Sequence, residues 1–253
     1  LQEAGVKDTY ENAKTYMDAT IGDRVPEILK ETYLKRGPEM LRFFHDNTKH
    51  MRFKYATNYS DYYAHLPGGK PTGRSIEPEI IDLRLLKEWE GLILEPTIST
   101  KGFTMTGQEF HKVNMIMRTL KGKATSLKLG TRMIKSKLTG AKYASLGRAL
   151  MARMALSYKK AGGKFRVNAA FKDFIVENNR VIGVLIESNG KQLRIKANWG
   201  VILGAGGFSQ NQEKRQQYLP HPTNKEWTSS PAGQTGDIIE PCQKLGAKFD
   251  LME

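Results

Sequence analysis

The 253-residue sequence predicts an α/β fold, α+β within this segment, with a helical first half and a strand-rich second half. Three observations support this prediction. Apolar residues recur at helical spacing through the first fifty residues, and the spacing shortens to about two residues between positions 165 and 197. The apolar run WGVIL at 199–203 then leads into a glycine-rich turn. Such a run is typical of a strand buried on both faces of a parallel sheet.

The helical first part is divided by glycine and proline. An apolar stripe over residues 13–21 ends at Gly22-Asp23, which predicts the end of a first helix. Pro26 stands where a second helix can begin, and Pro38 is predicted to open a third. A later helix is predicted from Ser145 to the paired glycines at 162–163. Its predicted apolar face consists of Leu146, Leu150, Met154 and Leu156.

Residues 53–78, FKYATNYSDYYAHLPGGKPTGRSIEP, are rich in aromatic residues, glycine and proline. We call this segment the aromatic loop. Its composition predicts a long loop with short strands, and long ordered loops commonly carry functional residues. A short helix is predicted after it, near residues 81–89.

A β-meander is predicted in the second half, with strands at 165–168, 171–177, 181–187 and 192–197. Asn178-Asn179 and Ser188-Asn189-Gly190 supply the turns, because Asn and Gly tolerate the positive φ that tight hairpins require.

Charge and composition limit the classes of function. The formal net charge is +14 at pH 7, and residues 101–160 hold 14 Lys and Arg against a single acid, Glu109. This basic segment is either a solvated face or a surface for an anionic membrane or an acidic partner. It lacks the aromatic interleaving and the helix-turn-helix spacing of nucleic-acid binders, so we expect no nucleic-acid partner.

Cysteine and histidine usage excludes two further classes of site. The single cysteine, Cys242, rules out an internal disulfide and is compatible with a reducing cytoplasm. The five histidines lack metal-ligand spacing, so no metal site is expected. No stretch approaches the roughly 18 apolar residues that span a bilayer. We expect a cytoplasmic protein, with peripheral membrane contact through 101–160 as the alternative.

The glycine turn after the predicted buried strand, Gly204-Ala205-Gly206-Gly207, is suited to anion binding. Glycine lets a ligand approach the backbone closely, and the following helix start offers unpaired N–H groups. The turn lacks the GxGxxG spacing and the later acid of a self-sufficient dinucleotide site. On these residues alone, a simple strand-to-helix turn is an equal alternative.

The order of motifs from Gly147 to Asn211 resembles the fumarate reductase and 3-ketosteroid dehydrogenase superfamily of flavoproteins. These motifs are a helix ending at paired glycines, a strand, VIGV, a strand ending in Ala, and an apolar run into a GG-F-x-x-N turn. Upstream, IGDRVP at 21–26, DYY at 61–63 and GR at 73–74 resemble the 3-ketosteroid dehydrogenase branch. The resemblance extends from about residue 10 to residue 253 and is loose over 100–140.

This resemblance implies the interior of a Rossmann-like FAD-binding domain, with the meander and return strand joining a parallel sheet. Residues 1–144 would be a helical and loop insertion carrying the aromatic loop, and residues 145–253 the meander and the return to the sheet. The family also has a dinucleotide-binding βαβ unit before such a segment and a substrate domain after it. We therefore expect this segment alone to bind FAD weakly or not at all and to lack turnover.

The resemblance implies dehydrogenation at C1–C2 of a 3-ketosteroid ring, with hydride passing to FAD and electrons to an external acceptor. Tyr62 matches a catalytic tyrosine of the family, and Tyr63 is its near rival. A phenol can donate a hydrogen bond or, when deprotonated, accept a proton, although its ordinary pKa of about 10 requires stabilisation. The alternatives are a fumarate reductase-like or other enone-acting flavoprotein and a non-enzymatic basic binding module. The phenolic loop favours a sterol over a dicarboxylate, which would need Arg and His clamps.

Cofactor contacts follow from the resemblance position by position, and all lie in the second half: Ala170, Ala205, Gly206, Gly207, Asn211, Thr235, Gly236 and Asp237. Ala170 would meet the adenine through its backbone, residues 205–207 the ribose and pyrophosphate, and residues 235–237 the flavin end. Ile238 departs from the family pattern, which has glycine there. Isoleucine does not accept positive φ cheaply, so this departure argues against contact at that loop. The following EPCQKLGAKFDLM matches a helix and a strand of the family.

Overall fold

The computed structural model describes residues 4–95 and 102–250. Expectations that concern residues 96–101, including the start of the basic segment, and residues 251–253 lie outside this part. Two compact units divide the chain, Leu1–Gly163 and Lys164–Glu253, and each is described by itself.

The first unit is mostly helical. Its elements in chain order are α1 (Tyr10–Ile21), α2 (Glu27–Asn47), β1 (Phe53–Tyr55), β2 (Ile76–Pro78), β3 (Ile81–Asp82), a 3-10 helix (Leu83–Leu92), α3 (Gly107–Val113), α4 (Leu120–Thr139), β4 (Tyr143–Ala144) and α5 (Leu146–Lys160). Strand β1 pairs antiparallel with β2, and β3 pairs antiparallel with β4. The short helix predicted near 81–89 is the 3-10 helix, whose N-cap is Asp82.

The predicted end of the first helix is confirmed, because Gly22 caps α1 with a φ of 65°. The predicted helix break at Pro38 is wrong. Pro38 lies inside α2, which runs without interruption from Glu27 to Asn47. Proline removes one backbone hydrogen bond. Since Pro38 is exposed, water can satisfy the carbonyl group that loses its partner.

The hydrophobic core of the first unit lies where α5 packs against β3, β4 and the 3-10 helix. The predicted helix from Ser145 is confirmed, and its predicted apolar face is right for Leu156 but wrong for Leu146 and Met154. The buried stripe of α5 is Ala149, Ala152, Arg153 and Leu156, whereas Leu146 and Met154 are largely exposed. Small alanines let the helix approach its neighbours closely, a preference that a search for large apolar residues misses.

The second unit contains β5 (Ala169–Glu177), β6 (Arg180–Ser188), β7 (Lys191–Lys196), α6 (Gln212–Tyr218), a 3-10 turn (Lys225–Trp227) and α7 (Ile239–Lys244). The predicted meander is confirmed as an antiparallel sheet in the order β5-β6-β7. Both predicted hairpin turns have positive φ, at Asn178 and Asn179 and at Asn189 and Gly190.

Three predicted strands of the second unit are wrong. Residues 165–168 do not form a strand that continues into β5. Asn168 has a φ of 51°, which is not a strand value, and β6 ends at Ser188, the partner of Ala169. The strand predicted at the end of EPCQKLGAKFDLM, after the confirmed helix α7, is not formed over residues 247–250, and its last residues lie outside the described part. The run 199–203 is also irregular, with Trp199 96% and Ile202 99% exposed.

The run 199–203 was predicted to return to a parallel sheet. A strand buried in such a sheet is held by hydrogen bonds to its neighbours. None of β1 to β7 pairs with this run, and no parallel strand pair occurs among the described residues. The mixed helix and strand content is therefore as predicted, and the parallel sheet is not.

Candidate functional site

The aromatic loop in the first unit is closed by the β1–β2 pair, which aligns Phe53 with Pro78. Within it, the Tyr55 hydroxyl donates to the Thr72 carbonyl at 2.5 Å. The Asp61 N–H donates to the Lys70 carbonyl at 3.1 Å, and the Lys70 N–H donates back to the Asp61 carboxylate at 3.0 Å. These cross-links give the loop a defined shape.

Arg74 anchors the aromatic loop to the start of the chain. Its guanidinium donates to the Asp8 carboxylate at 2.7 Å, to the Gly68 carbonyl at 2.8 Å and to the Asp61 carboxylate. It also lies 5.4 Å from the centre of the Tyr16 ring. Both carboxylate side chains are only 7% exposed. Arg74 therefore fixes the residue that directly precedes Tyr62.

Gly73 permits the closest approach within the aromatic loop. Its φ is 71°, and a Cβ at this position would lie 1.6 Å from the Tyr59 carbonyl oxygen. Any other residue would push the two sides of the loop apart.

Tyr62 projects from this fixed frame with 86% of its surface exposed, compared with 55% for Tyr63. The Tyr63 N–H donates to the Tyr16 hydroxyl at 3.1 Å, so the backbone beside Tyr62 is held. A hydrogen bond with Tyr62 raises the pKa of the Tyr59 phenol. The Tyr62 ring is thus accessible to a ligand while its backbone is restrained. Its catalytic role stays a prediction.

In the second unit, the glycine turn joins a second loop through hydrogen bonds. The Gln210 N–H donates to the Gln234 carbonyl at 3.0 Å, and the Gln210 side chain donates to the Ser230 carbonyl at 2.7 Å. The Asn211 side-chain amide donates to the Thr235 carbonyl at 3.1 Å. The structure therefore brings two predicted cofactor segments, 205–211 and 235–237, together.

Asn211 has a second role as the N-cap of α6, where its side-chain oxygen accepts from the Lys214 N–H at 3.1 Å. The start of this short helix is thereby satisfied internally. Among the hydrogen bonds of the described residues, none uses the N–H groups of Ala205, Gly206 or Gly207. Free donors for an anion are therefore on the turn itself rather than on the helix.

The space beside the glycine turn is consistent with a bound cofactor. A Cβ placed on Gly207 would meet no described atom within 4 Å, so a ligand could reach the backbone there. Gly236 has a φ of 72°, and a Cβ on it would lie 2.8 Å from the Phe208 Cβ, so the two loops touch at this point. The Thr235 hydroxyl donates to the Asp237 carboxylate at 2.7 Å.

Ile238 does not strain the second loop. Its φ of −82° and ψ of −12° are helical values, and it is the N-cap of α7. The argument that isoleucine would need a positive φ here is therefore wrong, since Gly236 adopts the positive φ instead. Ala170 lies in β5 opposite Glu187, and no described hydrogen bond links it to the two loops. Its contact with a cofactor stays a prediction, as do the other cofactor contacts.

Two parts of the site were missed by sequence reasoning. The Arg74 anchor joins residues 66 positions apart, and Gln210 finds partners 20 and 24 positions away. The sequence marks the anchor only by the GR and DYY motifs. Within the described part of the chain, no group of acidic, His and Cys residues could hold a metal, and no helix is long and apolar enough to cross a membrane.

A glycine turn with free N–H groups, held against a second glycine-containing loop, is an arrangement suited to binding a nucleotide cofactor. Comparison with known proteins makes this more specific. The whole chain, residues 1–253, matches the FAD binding domain family, and the protein belongs to that family. This confirms FAD as the predicted cofactor class.

The most informative relatives confirm the resemblance to 3-ketosteroid dehydrogenases. The chain is 40% identical over 263 residues to the 3-oxosteroid 1-dehydrogenase of Mycolicibacterium smegmatis, covering 100% of this chain and 45% of that protein. It is 38% identical to the enzyme of the same name from Mycobacterium tuberculosis, covering 100% and 46%. The chain therefore spans slightly less than half the length of these curated relatives.

A solved structure agrees with the fold described above. The crystal structure of 3-ketosteroid delta1-dehydrogenase from Sterolibacterium denitrificans, in complex with 1,4-androstadiene-3,17-dione, superposes with a TM-score of 0.89. Sequence identity is 31%, and the match covers 98% of this chain and 46% of that chain.

Proposed function

We propose that this chain is part of an FAD-dependent 3-oxosteroid 1-dehydrogenase, which removes two hydrogens across C1–C2 of a 3-ketosteroid and passes the electrons to an external acceptor. The observation that carries the proposal is the 40% identity to such an enzyme along the entire chain. The exposed, restrained Tyr62 supports it, because a dehydrogenase of this type needs a phenol or another proton-handling group at the substrate.

FAD, when bound, supplies the hydride acceptor. The residues of this chain would hold it through the backbone N–H groups of 205–207, with Asn211 fixing the turn against Thr235. Asp237, linked to Thr235, would complete the second loop. These groups orient and bind the cofactor, and Asn211 acts as a positioning residue.

Tyr62 would handle a proton at the substrate. Its hydroxyl can donate a hydrogen bond, and its neighbour Tyr59 shares a hydrogen bond with it. Because Arg74 and the loop cross-links already restrain the backbone, little reorganisation is needed when substrate binds. The phenol-rich surface also suits an apolar ring system better than a dicarboxylate.

The experiment is a Tyr62→Phe variant of the full-length protein, assayed for 3-ketosteroid dehydrogenation with a dye as electron acceptor. We expect kcat to fall at least about 100-fold, since a positioned proton-transfer group contributes about 10²–10⁴-fold. FAD content, measured by absorbance, should be unchanged. Tyr63→Phe is the matched control and should retain turnover close to that of the unchanged enzyme.

Two outcomes would contradict the proposal. Loss of activity in Tyr63→Phe with full activity in Tyr62→Phe would move the role to Tyr63. Turnover of 4-oxocyclohexanecarboxylate or succinate by the unchanged enzyme, without turnover of any 3-ketosteroid, would overturn the substrate.

A further inference from the structure

Helix α4 carries an exposed apolar stripe that the proposed function does not use. Four residues recur at intervals of seven, seven and four, and we call them the α4 stripe: Leu120, Leu127, Ile134 and Leu138. Their exposed fractions are 83%, 72%, 55% and 82%. Residues at these intervals lie on one face of a helix. The stripe is therefore a largely apolar surface, interrupted by Thr131, that is open to solvent in the described structure.

The opposite face of α4 fixes this orientation. Gly122 and Leu129 are buried, and a Cβ on Gly122 would lie 2.6 Å from the Met115 carbonyl oxygen. On the same unit, Arg132 donates two hydrogen bonds of 2.8 Å to the Glu109 carboxylate in α3. The helix is therefore held to α3 with its stripe facing outward.

Lysines line both edges of the α4 stripe. On an α-helix of 3.6 residues per turn, Lys121, Lys128 and Lys135 follow one edge, and Lys123 and Lys137 follow the other. All five are exposed. Of these, Lys128 has an acidic partner, Glu109 at 3.0 Å. A central apolar stripe with a lysine margin on each side is the pattern of a helix that lies in a membrane interface, where long side chains extend to the headgroups.

The apolar surface continues before the helix begins. Met115, Ile116 and Met117 in the α3–α4 connection are 47%, 37% and 86% exposed. Flexible, exposed methionines next to the N-terminal end of the stripe enlarge the face that could be buried by a lipid layer.

A second copy of the chain fits this surface poorly. The order Leu120, Ala124, Leu127, Thr131, Ile134 and Leu138 has the alternating four- and three-residue spacing of a coiled-coil seam. The positions that flank such a seam are Lys121, Lys128 and Lys135 on one side and Lys123, Gly130 and Lys137 on the other. In a self-paired coil these flanks would place lysine against lysine. An anionic surface would neutralise them.

We propose that α4 binds flat on an anionic lipid surface, with the α4 stripe inserted between headgroups and the flanking lysines paired with anionic lipids. This inference stands apart from the dehydrogenase proposal, because it rests on α4 alone and its test does not measure turnover.

The test is sedimentation of the full-length protein with vesicles of phosphatidylcholine, with and without about a third of phosphatidylserine. We expect partition onto the anionic vesicles at low salt and at least tenfold weaker partition onto neutral ones, because each lysine near such a surface contributes about fivefold. High salt should weaken the binding.

Two variants separate the contributions of the stripe and the lysines. Leu127→Ser with Leu138→Ser should lower partition at least about tenfold, because two inserted leucines are lost. The second variant carries three substitutions, Lys121→Gln, Lys123→Gln and Lys137→Gln. It should partition less onto anionic vesicles at low salt, and most of the salt dependence of the partition should be lost. The control for the leucine variant is Ile28→Ser with Tyr33→Ser on α2. The control for the lysine variant is Lys191→Gln with Lys196→Gln on β7. Both controls should bind as the unchanged protein does.

Three results would overturn the proposal. The first is an unchanged protein that stays in solution with anionic vesicles at low salt. The second is a leucine variant that binds as tightly as its α2 control while remaining folded by circular dichroism. The third is a dimer, seen by sedimentation equilibrium without lipid and absent from the leucine variant, because a second copy would then cover the stripe.

Discussion

The two units of the chain are held together by different means. In the first unit, the core includes Leu83 and Leu86, which are 2% and 0% exposed, and a buried Arg153 donates to three backbone carbonyls. In the second unit, Ile186 and Ile239 are the buried apolar side chains among the described residues. Its apolar run at 199–203 is exposed, with Ile202 at 99%.

This difference shows how each unit shapes its own candidate functional residues. The first unit presents Tyr62 from a loop anchored by the partly buried ion pairs of Arg74 and supported by packed helices. The second unit shapes its glycine turn through side-chain-to-backbone hydrogen bonds and through glycines at positive φ. Changes to packing should therefore act on the stability of the first unit, and changes to single polar groups should act on the shape of the second.

The largest effect is expected from the core of the first unit. Leu86→Ala should lower the free energy of unfolding of the 253-residue chain by about 2–5 kcal/mol, because a fully buried leucine leaves a cavity. Urea unfolding followed by circular dichroism measures this. Two controls should each change the free energy of unfolding by less than about 0.5 kcal/mol. They are Leu85→Ala, at a neighbouring position that is 56% exposed, and Ile202→Ala in the second unit. A cost for Ile202→Ala equal to that of Leu86→Ala would remove the contrast between the units.

A smaller effect is expected from the Glu109–Arg132 pair. Burial raises the pKa of Glu109, but hydrogen bonds from Arg132, the Thr106 N–H and Lys128 outweigh it and lower the pKa to about 2. Because the folded-state pKa lies below the ordinary value of 4.5, this carboxylate stabilises the fold above about pH 4.5. That contribution declines as the pH falls towards 2.

Glu109→Gln should therefore lower the free energy of unfolding at pH 7 by no more than about 3 kcal/mol, and the loss should shrink at pH 3. Urea midpoints at the two pH values measure it. Glu39→Gln, which breaks the exposed pair with Arg36, is the control and should cost less than about 1 kcal/mol. A loss for Glu109→Gln that is the same at both pH values would contradict the assigned pKa.

Features of the fold that depend on adjacent residues could be predicted from the sequence. Features that depend on distant parts of the chain could not. The hairpins at Asn178-Asn179 and Asn189-Gly190 were predictable because positive φ is a property of a few adjacent residues. The Pro38 break and the strand at 199–203 failed because their outcome depends on solvent exposure and on neighbouring strands.

The site shows the same division. Adjacent residues mark the glycine turn, and Tyr62 is marked by the resemblance to the family, while its exposure is a finding of the structure. The Arg74–Asp8 anchor and the pairing of Asn211 with Thr235 join distant positions, so no local pattern marks them. The conformation at Ile238 was misjudged because the residue that adopts positive φ in that loop is Gly236.

Under the proposed function, hydrogen bonds of Asn211 hold a turn that would bind FAD, and an Asn211→Ala variant of the full-length protein tests this role most directly. The matched control is Asn224→Ala, which also removes an asparagine cap in the second unit, from the turn at Lys225–Trp227. Both should lose about 1 kcal/mol of stability. Flavin fluorescence titration should show FAD affinity at least about fivefold weaker for Asn211→Ala and unchanged for Asn224→Ala. Equal FAD affinity in the two variants would contradict the account.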